Sequence, residues 1–242
     1  MNVVRTHIQC DLIRSISTTC CAHGKGVSSS IWINRHKNDP YVKKSRYENY
    51  RARSAYKLLE IDGKYHFLKP GIIAIDCGAA PGAWTQVMVR QCYPGGIIKP
   101  NGTFIISIDL GGIAPIEGAN VLPFTDFTSP LNQAKIISLL HDRKVNVLCS
   151  DMCPNVSGFH ETDHEQSLKL VISAFQFGVQ TLDVGAVFLA KILYGPRIEE
   201  LVDLMRKFFQ AVKIIKPPSS RDDSSESFVI GLKFKGLKDS NS

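Results

Sequence analysis

Long apolar runs are missing from this sequence of 242 residues. No stretch approaches the roughly 20 apolar residues that cross a bilayer, so we expect no membrane span. The seven cysteines are odd in number and lack CxxC spacing, which favours reduced intracellular thiols over a disulfide framework. Cys149 and Cys153 lie four residues apart, which leaves a metal-binding pair open, but we expect packed core thiols. Internal repeats and the dinucleotide fingerprint GxGxxG are also absent.

The composition is that of an ordinary globular protein, with 44% apolar and 21% charged residues. A chain of this length can bury the core of one sizeable α/β domain. The net charge of +7 and the isoelectric point near 9.0 indicate an anionic partner. Charge alone does not distinguish a nucleic acid from a membrane surface.

The first 30 residues differ from the rest of the chain. They carry Arg5, Arg14 and Lys25 against Asp11 alone, are rich in Ser and Thr, and lack a secretory apolar core. This composition is typical of a mitochondrial transit peptide; a disordered tail is the alternative. We assign the transit peptide to residues 1–35, with its end between residues 18 and 38, and expect the protein in the mitochondrial matrix.

The segment 31–57 combines basic and aromatic residues. The basic residues are Arg35, Lys37, Lys43, Lys44, Arg46, Arg51, Arg53 and Lys57, and the rings are Tyr41, Tyr47, Tyr50 and Tyr56. Cations for phosphates with flat rings for bases favour RNA binding through this basic N-terminal helix region. A solvated helix approach is the alternative.

Continuous apolar strands alternate with amphipathic helices from residue 72 onward. This alternation predicts an α/β, Rossmann-like fold whose mostly parallel sheet of seven strands is covered by helices on both faces. The predicted strands 212–215 and 227–234 are joined by a polar stretch without a crossover helix. They should therefore pair as an antiparallel edge.

A glycine-rich turn, Asp76-Cys-Gly-Ala-Ala-Pro-Gly-Ala-Trp84, follows the first predicted strand and opens a helix. Such a turn presents backbone amides and a helix N-terminus to a nucleoside cofactor. Asp109 ends the next strand, where a carboxylate can accept from ribose hydroxyls. Asp126 follows the third strand, placed for an exocyclic amine.

Two lysines and two carboxylates fall at the same predicted edge of the sheet: Lys57, Asp151, Lys191 and Glu226. Taken singly, each is better explained by a surface ion pair. Together they can hold a hydroxyl group and remove its proton. The expected base is Lys191, because a neighbouring Lys57 ammonium and partial burial would lower the pKa of its amine.

The ordered motifs resemble one family. The Asp76–Trp84 turn, Ser150-Asp-Met-x-Pro-Asn-x-Ser-Gly158, the Lys191 strand and Ser219-Ser-Arg…Glu226 are similar to the FtsJ/RrmJ family of ribose 2′-O-methyltransferases, over residues 51–234. The resemblance implies S-adenosyl-L-methionine (AdoMet) as cofactor and the fold of a class I methyltransferase. It also implies methylation of a ribose, with a uridine in mitochondrial large-subunit rRNA expected, in support of ribosome biogenesis.

The resemblance also assigns residue roles. The catalytic Lys-Asp-Lys-Glu tetrad falls on Lys57, Asp151, Lys191 and Glu226, and no metal is required. The residues assigned to AdoMet binding are Pro81, Gly82, Ala83, Trp84, Asp109, Asp126 and Asp151. Ala83 replaces a glycine of the bacterial motif, which is tolerated if its φ is negative. The loop 93–102 is longer than in bacterial members, and its contacts are unassigned.

These assignments divide the chain into the transit peptide, one AdoMet-dependent methyltransferase domain over residues 36–235 and a loose tail over residues 236–242. We expect a monomer. Two other functions stay open: an rRNA-binding assembly factor with incidental methylation, and a methyltransferase for tRNA or an mRNA cap.

The sequence also contains His160-Glu-Thr-Asp-His164, which matches the zinc-protease pattern HExxH. It follows a loop-like segment and carries an aspartate where zinc proteases have uncharged residues. We therefore expect a loop and helix start beside the site, and no zinc.

Overall fold

The computed structural model describes residues 38–96, 98, 102–221 and 223–237. The predicted transit peptide and most of the predicted tail lie outside them. The helices are α1 (Pro40–Tyr47), α2 (Ala55–Tyr65), α3 (Ala83–Cys92), α4 (Pro130–Leu140), α5 (His160–Thr181) and α6 (Ile198–Arg206). The strands are β1 (Ile73–Cys77), β2 (Phe104–Ile108), β3 (Asn120–Leu122), β4 (Val145–Ser150), β5 (Leu182–Leu193), β6 (Phe209–Ile215) and β7 (Glu226–Phe234).

The seven strands form one sheet in the order β3-β2-β1-β4-β5-β7-β6. Strands β1 to β5 pair in parallel, whereas β7 runs antiparallel to both β5 and β6. The α/β fold and the antiparallel pairing at one edge are therefore confirmed. Within that edge, β7 lies between β5 and β6, so that β6 is the outermost strand.

Two apolar clusters cover the two faces of the sheet. One packs β-strand side chains against α4, α5 and α6, and the other packs the opposite face against α2 and α3. Side chains of β5 alternate between them: Phe188 and Ala190 join the first cluster and Leu189 joins the second. Burial on both faces explains why the strands are continuously apolar.

Aromatic rings in edge-to-face and tilted contacts fill the first cluster around Phe175 of α5. Its ring centroid lies 5.7 Å from that of Phe188, 5.5 Å from Phe208 and 6.2 Å from Phe209. Phe209 is the first residue of β6. A Cβ atom at Gly231 of β7 would lie 2.7 Å from the Phe209 ring, so the glycine makes room for it.

Three of the described cysteines are packed in the interior, as expected. Cys77, Cys92 and Cys149 are buried, and burial raises the pKa of each thiol, to about 12 for Cys92. Such thiols are unreactive. Cys153 is exposed, so the prediction of a core thiol there is wrong: it lies in the loop beyond β4. Among the described residues, no helix has the length and apolar character needed to cross a bilayer.

We predict that Phe175→Ala destabilises the protein by about 3–5 kcal/mol, because it leaves a cavity that the neighbouring rings cannot fill. Leu131→Ala, at a side chain that is 76% exposed, is the control and should change stability by less than about 0.5 kcal/mol. Denaturant unfolding measures both. A loss below about 1 kcal/mol for Phe175→Ala would contradict the assigned packing.

Candidate active site

The topology gathers the loops that carry the predicted site at one edge of the sheet. The parallel strands β1, β2, β3, β4 and β5 end at this edge, and the antiparallel β7 begins there. Strands β2 and β4 flank β1 on opposite sides. The chain adds β2 and β3 on one side of β1 and then crosses over to add β4 and β5 on the other side. Ligands of open α/β sheets bind at such a position.

The glycine-rich turn is fixed to both neighbouring strands. The N–H groups of Gly78 and Ala79 donate to Ile108 O, at 2.9 and 3.1 Å. On the other side, a Cβ atom at Gly78 would lie 2.6 Å from the backbone nitrogen of Met152, just beyond β4. Gly78 has φ +77°, so both backbone conformation and close approach require glycine here.

The turn continues directly into α3. Gly82 precedes the helix and has φ +110°. Ala83 is the first residue of the helix and does not have a positive φ, which is the condition under which alanine can replace the glycine of the bacterial motif. The side chain of Trp84 is buried, packs on Phe228 and donates from Nε1 to Ser54 O at 2.8 Å. Trp84 can therefore offer a ligand only its backbone.

Arg51 bridges this turn and the β2–β3 loop. Its guanidinium donates to Pro81 O at 3.0 Å, to Ala114 O at 2.8 Å and to Pro115 O at 2.9 Å. Arg51 is one of the cations predicted to contact RNA, but its guanidinium is used to join these two loops. The apposition of two loops is not visible as a sequence pattern.

Asp109 and Asp126 follow β2 and β3, as predicted. Asp109 Oδ2 accepts from Ala80 N at 2.9 Å and Oδ1 from Gly111 N at 2.6 Å. Asp126 Oδ1 accepts from the N–H and the hydroxyl of Thr128, at 2.8 and 2.7 Å. These bonds orient two half-buried carboxylates whose remaining lone pairs suit hydroxyl and amine donors.

The four tetrad residues come together as two ion pairs. Lys57 Nζ lies 2.6 Å from the Glu226 carboxylate, and Lys191 Nζ lies 3.0 Å from Asp151 Oδ1. Lys191 also donates to the backbone oxygen of Asp151 at 2.5 Å. All four side chains are between 8% and 17% exposed, so these are not the surface ion pairs of the alternative interpretation.

The electrostatics of Lys191 differ from the sequence-based expectation. Burial lowers the pKa of its amine, but the charges of Asp151, Cys153 and Glu226 outweigh burial and raise it above its ordinary value. The prediction of a pKa lowered by Lys57 is therefore wrong. The physical reason is that Lys57 is paired with Glu226, so carboxylates dominate the field at Lys191.

Glu226 is held by the β6–β7 loop. Burial raises the pKa of Glu226, but Lys57, Lys191 and the Ser220 hydroxyl together lower it below its usual value. The Ser220 hydroxyl donates to Glu226 Oε1 at 2.9 Å. The neighbouring Ser219 donates to Glu60 from both its N–H and its hydroxyl, at 2.8 and 2.7 Å.

The same loop is anchored a second time through Asp39. The Asp39 carboxylate caps α1 and pairs with Arg53 and with Arg221, the latter at 3.3 Å. Arg53 also donates to Ser219 O. Sequence reasoning missed this network because its members lie up to 182 residues apart in the chain.

Most of the tyrosines expected to stack on bases are used within the protein. Arg53 lies over Tyr41 at 5.5 Å, Arg90 over Tyr50 at 4.2 Å and Lys44 over Tyr56 at 4.7 Å. Tyr56 is buried and Tyr41 and Tyr50 are half-buried, whereas Tyr47 is 88% exposed. Of these four rings, Tyr47 alone is available for base stacking.

The HExxH segment forms the first turns of α5, which begins at His160, the first residue of the motif. His164 is fully buried. Its Nδ1 lies 2.7 Å from Leu193 O, and its Nε2 accepts from Arg197 N at 3.3 Å. Because both ring nitrogens are hydrogen-bonded within the protein, His164 is not arranged as a zinc ligand.

Comparisons with known proteins agree with this fold. The pattern of the FtsJ-like methyltransferase family matches residues 50–234. The chain is 41% identical to the rRNA methyltransferase 2, mitochondrial, of Drosophila melanogaster, covering 90% of this chain and 87% of that one. It is 42% identical to the ribosomal RNA large subunit methyltransferase E of Cereibacter sphaeroides, covering 89% and 88%.

A solved structure of a ribosomal RNA methyltransferase from Plasmodium falciparum superposes with a TM-score of 0.68 at 29% identity. It covers 78% of this chain and 100% of the other. The fold is that of a methyltransferase with a Rossmann-like sheet. The chain belongs to the FtsJ-like methyltransferase family.

Asp76 lies beneath the glycine-rich turn, at the end of β1, and is fully buried. Its Oδ2 accepts from the Thr85 hydroxyl at 2.7 Å, and that hydroxyl lies 2.8 Å from the Ser107 hydroxyl. Its Oδ1 is buried and makes no hydrogen bond among the described residues. Burial, partly offset by the bond from Thr85, raises the pKa of Asp76 to about 7.

A carboxyl whose pKa is raised on folding stabilises the fold while it is protonated. For Asp76 this contribution is complete below the ordinary pKa of 3.8 and is lost as the pH rises through about 7. We predict that Asp76→Asn reduces the loss of stability between about pH 5 and pH 8.5 by at least about 1.4 kcal/mol, the equivalent of one pKa unit.

Unfolding of the ligand-free protein at the two pH values measures this effect. Asp142→Asn, at an exposed acid, is the control and should leave the pH dependence unchanged. An unaltered pH dependence in Asp76→Asn would show that Asp76 ionises normally in the folded protein.

Proposed function

We propose that this chain is an AdoMet-dependent methyltransferase that methylates the ribose 2′-hydroxyl of a uridine in mitochondrial large-subunit rRNA. The observation that carries the proposal is the pair of buried ion pairs, Lys57–Glu226 and Lys191–Asp151, beside the glycine-rich turn. A ribose hydroxyl is a poor nucleophile, and two amines and two carboxylates can orient it and accept its proton.

The residues at the turn fit the chemical groups of AdoMet. The backbone of Pro81, Gly82, Ala83 and Trp84 would face the cofactor at the start of α3. Asp109 and Asp126, fixed by backbone N–H groups, would accept from the ribose hydroxyls and the adenine amine. AdoMet supplies the methyl group that is transferred.

Lys191 is the proposed base and is protonated in the resting protein, since nearby carboxylates raise the pKa of its amine. It must lose that proton to solvent before it can act. The neutral Nζ would then accept the 2′-hydroxyl proton while the ribose oxygen takes the methyl group. The sulfur–methyl bond of AdoMet would break in the same step, and the cofactor would leave as a neutral thioether. Asp151 orients Lys191 by direct contact, and Glu226 holds Lys57 so that its ammonium can donate to the substrate.

The choice of rRNA and of the mitochondrion is supported by relatives and by composition. The names of the Drosophila and Cereibacter relatives specify rRNA, and the first also specifies the mitochondrion. The proposed transit peptide over residues 1–35, ahead of a methyltransferase domain over 36–235, agrees with that compartment. The exposed residues Lys43, Arg46 and Tyr47 of α1 offer phosphate and base contacts.

We predict that Lys191→Ala lowers methyl transfer to RNA at least about 100-fold, because the hydroxyl loses its proton acceptor. Lys191→Arg should be equally inactive, since a guanidinium does not deprotonate. The wild-type rate should rise with pH, because the raised pKa of Lys191 keeps most of the base protonated near neutrality. Transfer of radiolabelled methyl groups measures the rate, and calorimetry should show AdoMet binding changed by less than about threefold.

Lys169→Ala, at an exposed lysine of α5, is the control and should retain full activity. Substantial turnover in Lys191→Ala would end the assignment of the base. Ribosome assembly in cells that carry Lys191→Ala distinguishes the enzyme from an assembly factor: full rescue by the inactive variant would favour the assembly role.

We predict that Lys43→Ala combined with Arg46→Ala weakens RNA binding several-fold. The salt dependence of binding should also decrease, because a protein that makes fewer phosphate contacts releases fewer counterions when it binds. AdoMet binding should be unchanged. The control is Lys144→Ala with Lys207→Ala, two exposed lysines away from the site edge. Equal losses in both double variants would indicate that overall charge, and not α1, attracts the RNA.

A further inference from the structure

Helix α5 holds both backbone groups of Leu193, at the end of β5. The Ser167 hydroxyl accepts from Leu193 N at 3.0 Å, and His164 Nδ1 lies 2.7 Å from Leu193 O. Ser167 and His164 are fully buried, three residues apart on one face of the helix. Leu193 therefore has a side-chain partner on α5 for its N–H and for its carbonyl.

The contacts of His164 define its tautomer. Nδ1 faces a carbonyl oxygen and must donate, whereas Nε2 faces the N–H of Arg197 and must accept. These two contacts place a proton on Nδ1. Arg197 pairs in turn with Glu165 of α5 and with Glu200, which closes the loop beyond β5 onto the same helix.

Gly195 makes this arrangement possible. A Cβ atom at this position would lie 2.2 Å from His164 Cγ and 2.6 Å from both Cδ2 and Nδ1. The backbone of the loop therefore lies directly on the imidazole ring. A side chain at Gly195 would displace either the ring or the loop.

The anchored residue is next to the proposed catalytic groups. Leu193 is two residues beyond Lys191 on β5 and pairs across the sheet with Glu226 of β7. Directly after Leu193, Tyr194 N donates to Ser225 O at 2.8 Å, which ties the two strand ends together. A shift of Leu193 would therefore move Lys191 relative to Glu226 and Asp151.

The start of α5 also holds the loop that follows Asp151. Asp163 accepts from the N–H and hydroxyl of Ser157, both at 2.7 Å, and from Gly158 N at 3.0 Å. Adjacent residues of the HExxH segment thus contact the loops beyond β4 and β5. The side chains of Asp163 and His164 are not arranged to bind zinc; they hold these two loops in place.

We propose that His164 and Ser167 are positioning residues that fix the end of β5 and so hold Lys191 in contact with Asp151. The role in methyl transfer rests on the proposed function, whereas the anchoring of β5 does not. Neither residue contacts the reacting groups. Their effect is transmitted through the backbone of Leu193.

The test compares two variants that each remove one buried hydroxyl hydrogen bond from α5. Ser167→Ala removes the acceptor for Leu193 N. Thr181→Val, the matched control, removes a hydroxyl that donates to Phe177 O at 2.9 Å at the other end of the helix. Amide hydrogen exchange over residues 191–197 is measured first, because it does not depend on activity.

We predict faster exchange over residues 191–197 in Ser167→Ala and unchanged exchange in Thr181→Val. For methyl transfer, Ser167→Ala should lower kcat about tenfold, since small misplacements of a catalytic group are costly. The KM for RNA and AdoMet binding should change by less than about twofold. Thr181→Val should change kcat by less than about twofold.

The pH dependence distinguishes positioning from a general loss of folded protein. The charged and titratable groups that act on Lys191 are Asp151 and Cys153 beyond β4 and Glu226 on β7. If Lys191 moves away from the carboxylates of Asp151 and Glu226, the pKa of its amine falls. The rising limb of kcat against pH then shifts to lower pH, and its plateau is lower. A loss of folded protein would lower the plateau without moving the limb.

His164 gives a second test. His164→Gln keeps one donor and one acceptor and should recover most of the kcat that His164→Leu loses. Unchanged exchange over residues 191–197 in both Ser167→Ala and His164→Leu would overturn the proposal, whatever their activity. Faster exchange with an unchanged kcat in active protein would overturn the positioning role. A wild-type protein without methyl transfer would instead refute the proposed function, while the exchange result still decides the anchoring of β5.

Discussion

The insertion of β7 between β5 and β6 is the constraint on which the site depends. Because β7 runs antiparallel, its first residue lies at the edge where the parallel strands end. Glu226 is that residue, and it pairs with Lys57 from α2 beside the Lys191–Asp151 pair. A parallel last strand would have placed Glu226 at the opposite edge. The tetrad is therefore a consequence of sheet topology.

Electrostatic pairing defines the resting state of the site. Each lysine is matched by a carboxylate, and all four side chains are nearly buried. An unpaired charge in such a setting would be costly, and pairing with an opposite charge offsets part of that cost. The consequence is an amine at Lys191 that holds its proton more firmly than an exposed lysine does. The site is thus arranged around an ammonium group, and the proposed base forms only when that group loses its proton.

Much of the basic N-terminal segment is used in contacts within the protein. Several of its cations and rings pack on one another, as Arg53 does on Tyr41 and Lys44 on Tyr56. Arg51 and Arg53 fasten the segment to the glycine-rich turn and to the β6–β7 loop. These residues hold the entrance of the site together. The exposed cations of α1 are the ones proposed above to contact RNA.

The sequence by itself determined the order of strands and helices, the glycine-rich turn and the four residues that meet at the edge of the sheet. Apolar periodicity, glycine conformation and chain connectivity are local properties, so they can be deduced from neighbouring residues. Only the tertiary structure decided what surrounds each charge. It paired Lys57 with Glu226 and so reversed the expected pKa shift of Lys191, and it directed the Trp84 ring into the core. It also placed the His164 ring against the backbone carbonyl of Leu193. These outcomes depend on contacts between residues distant in the chain, and electrostatic and packing energies follow distance in space and not position in sequence.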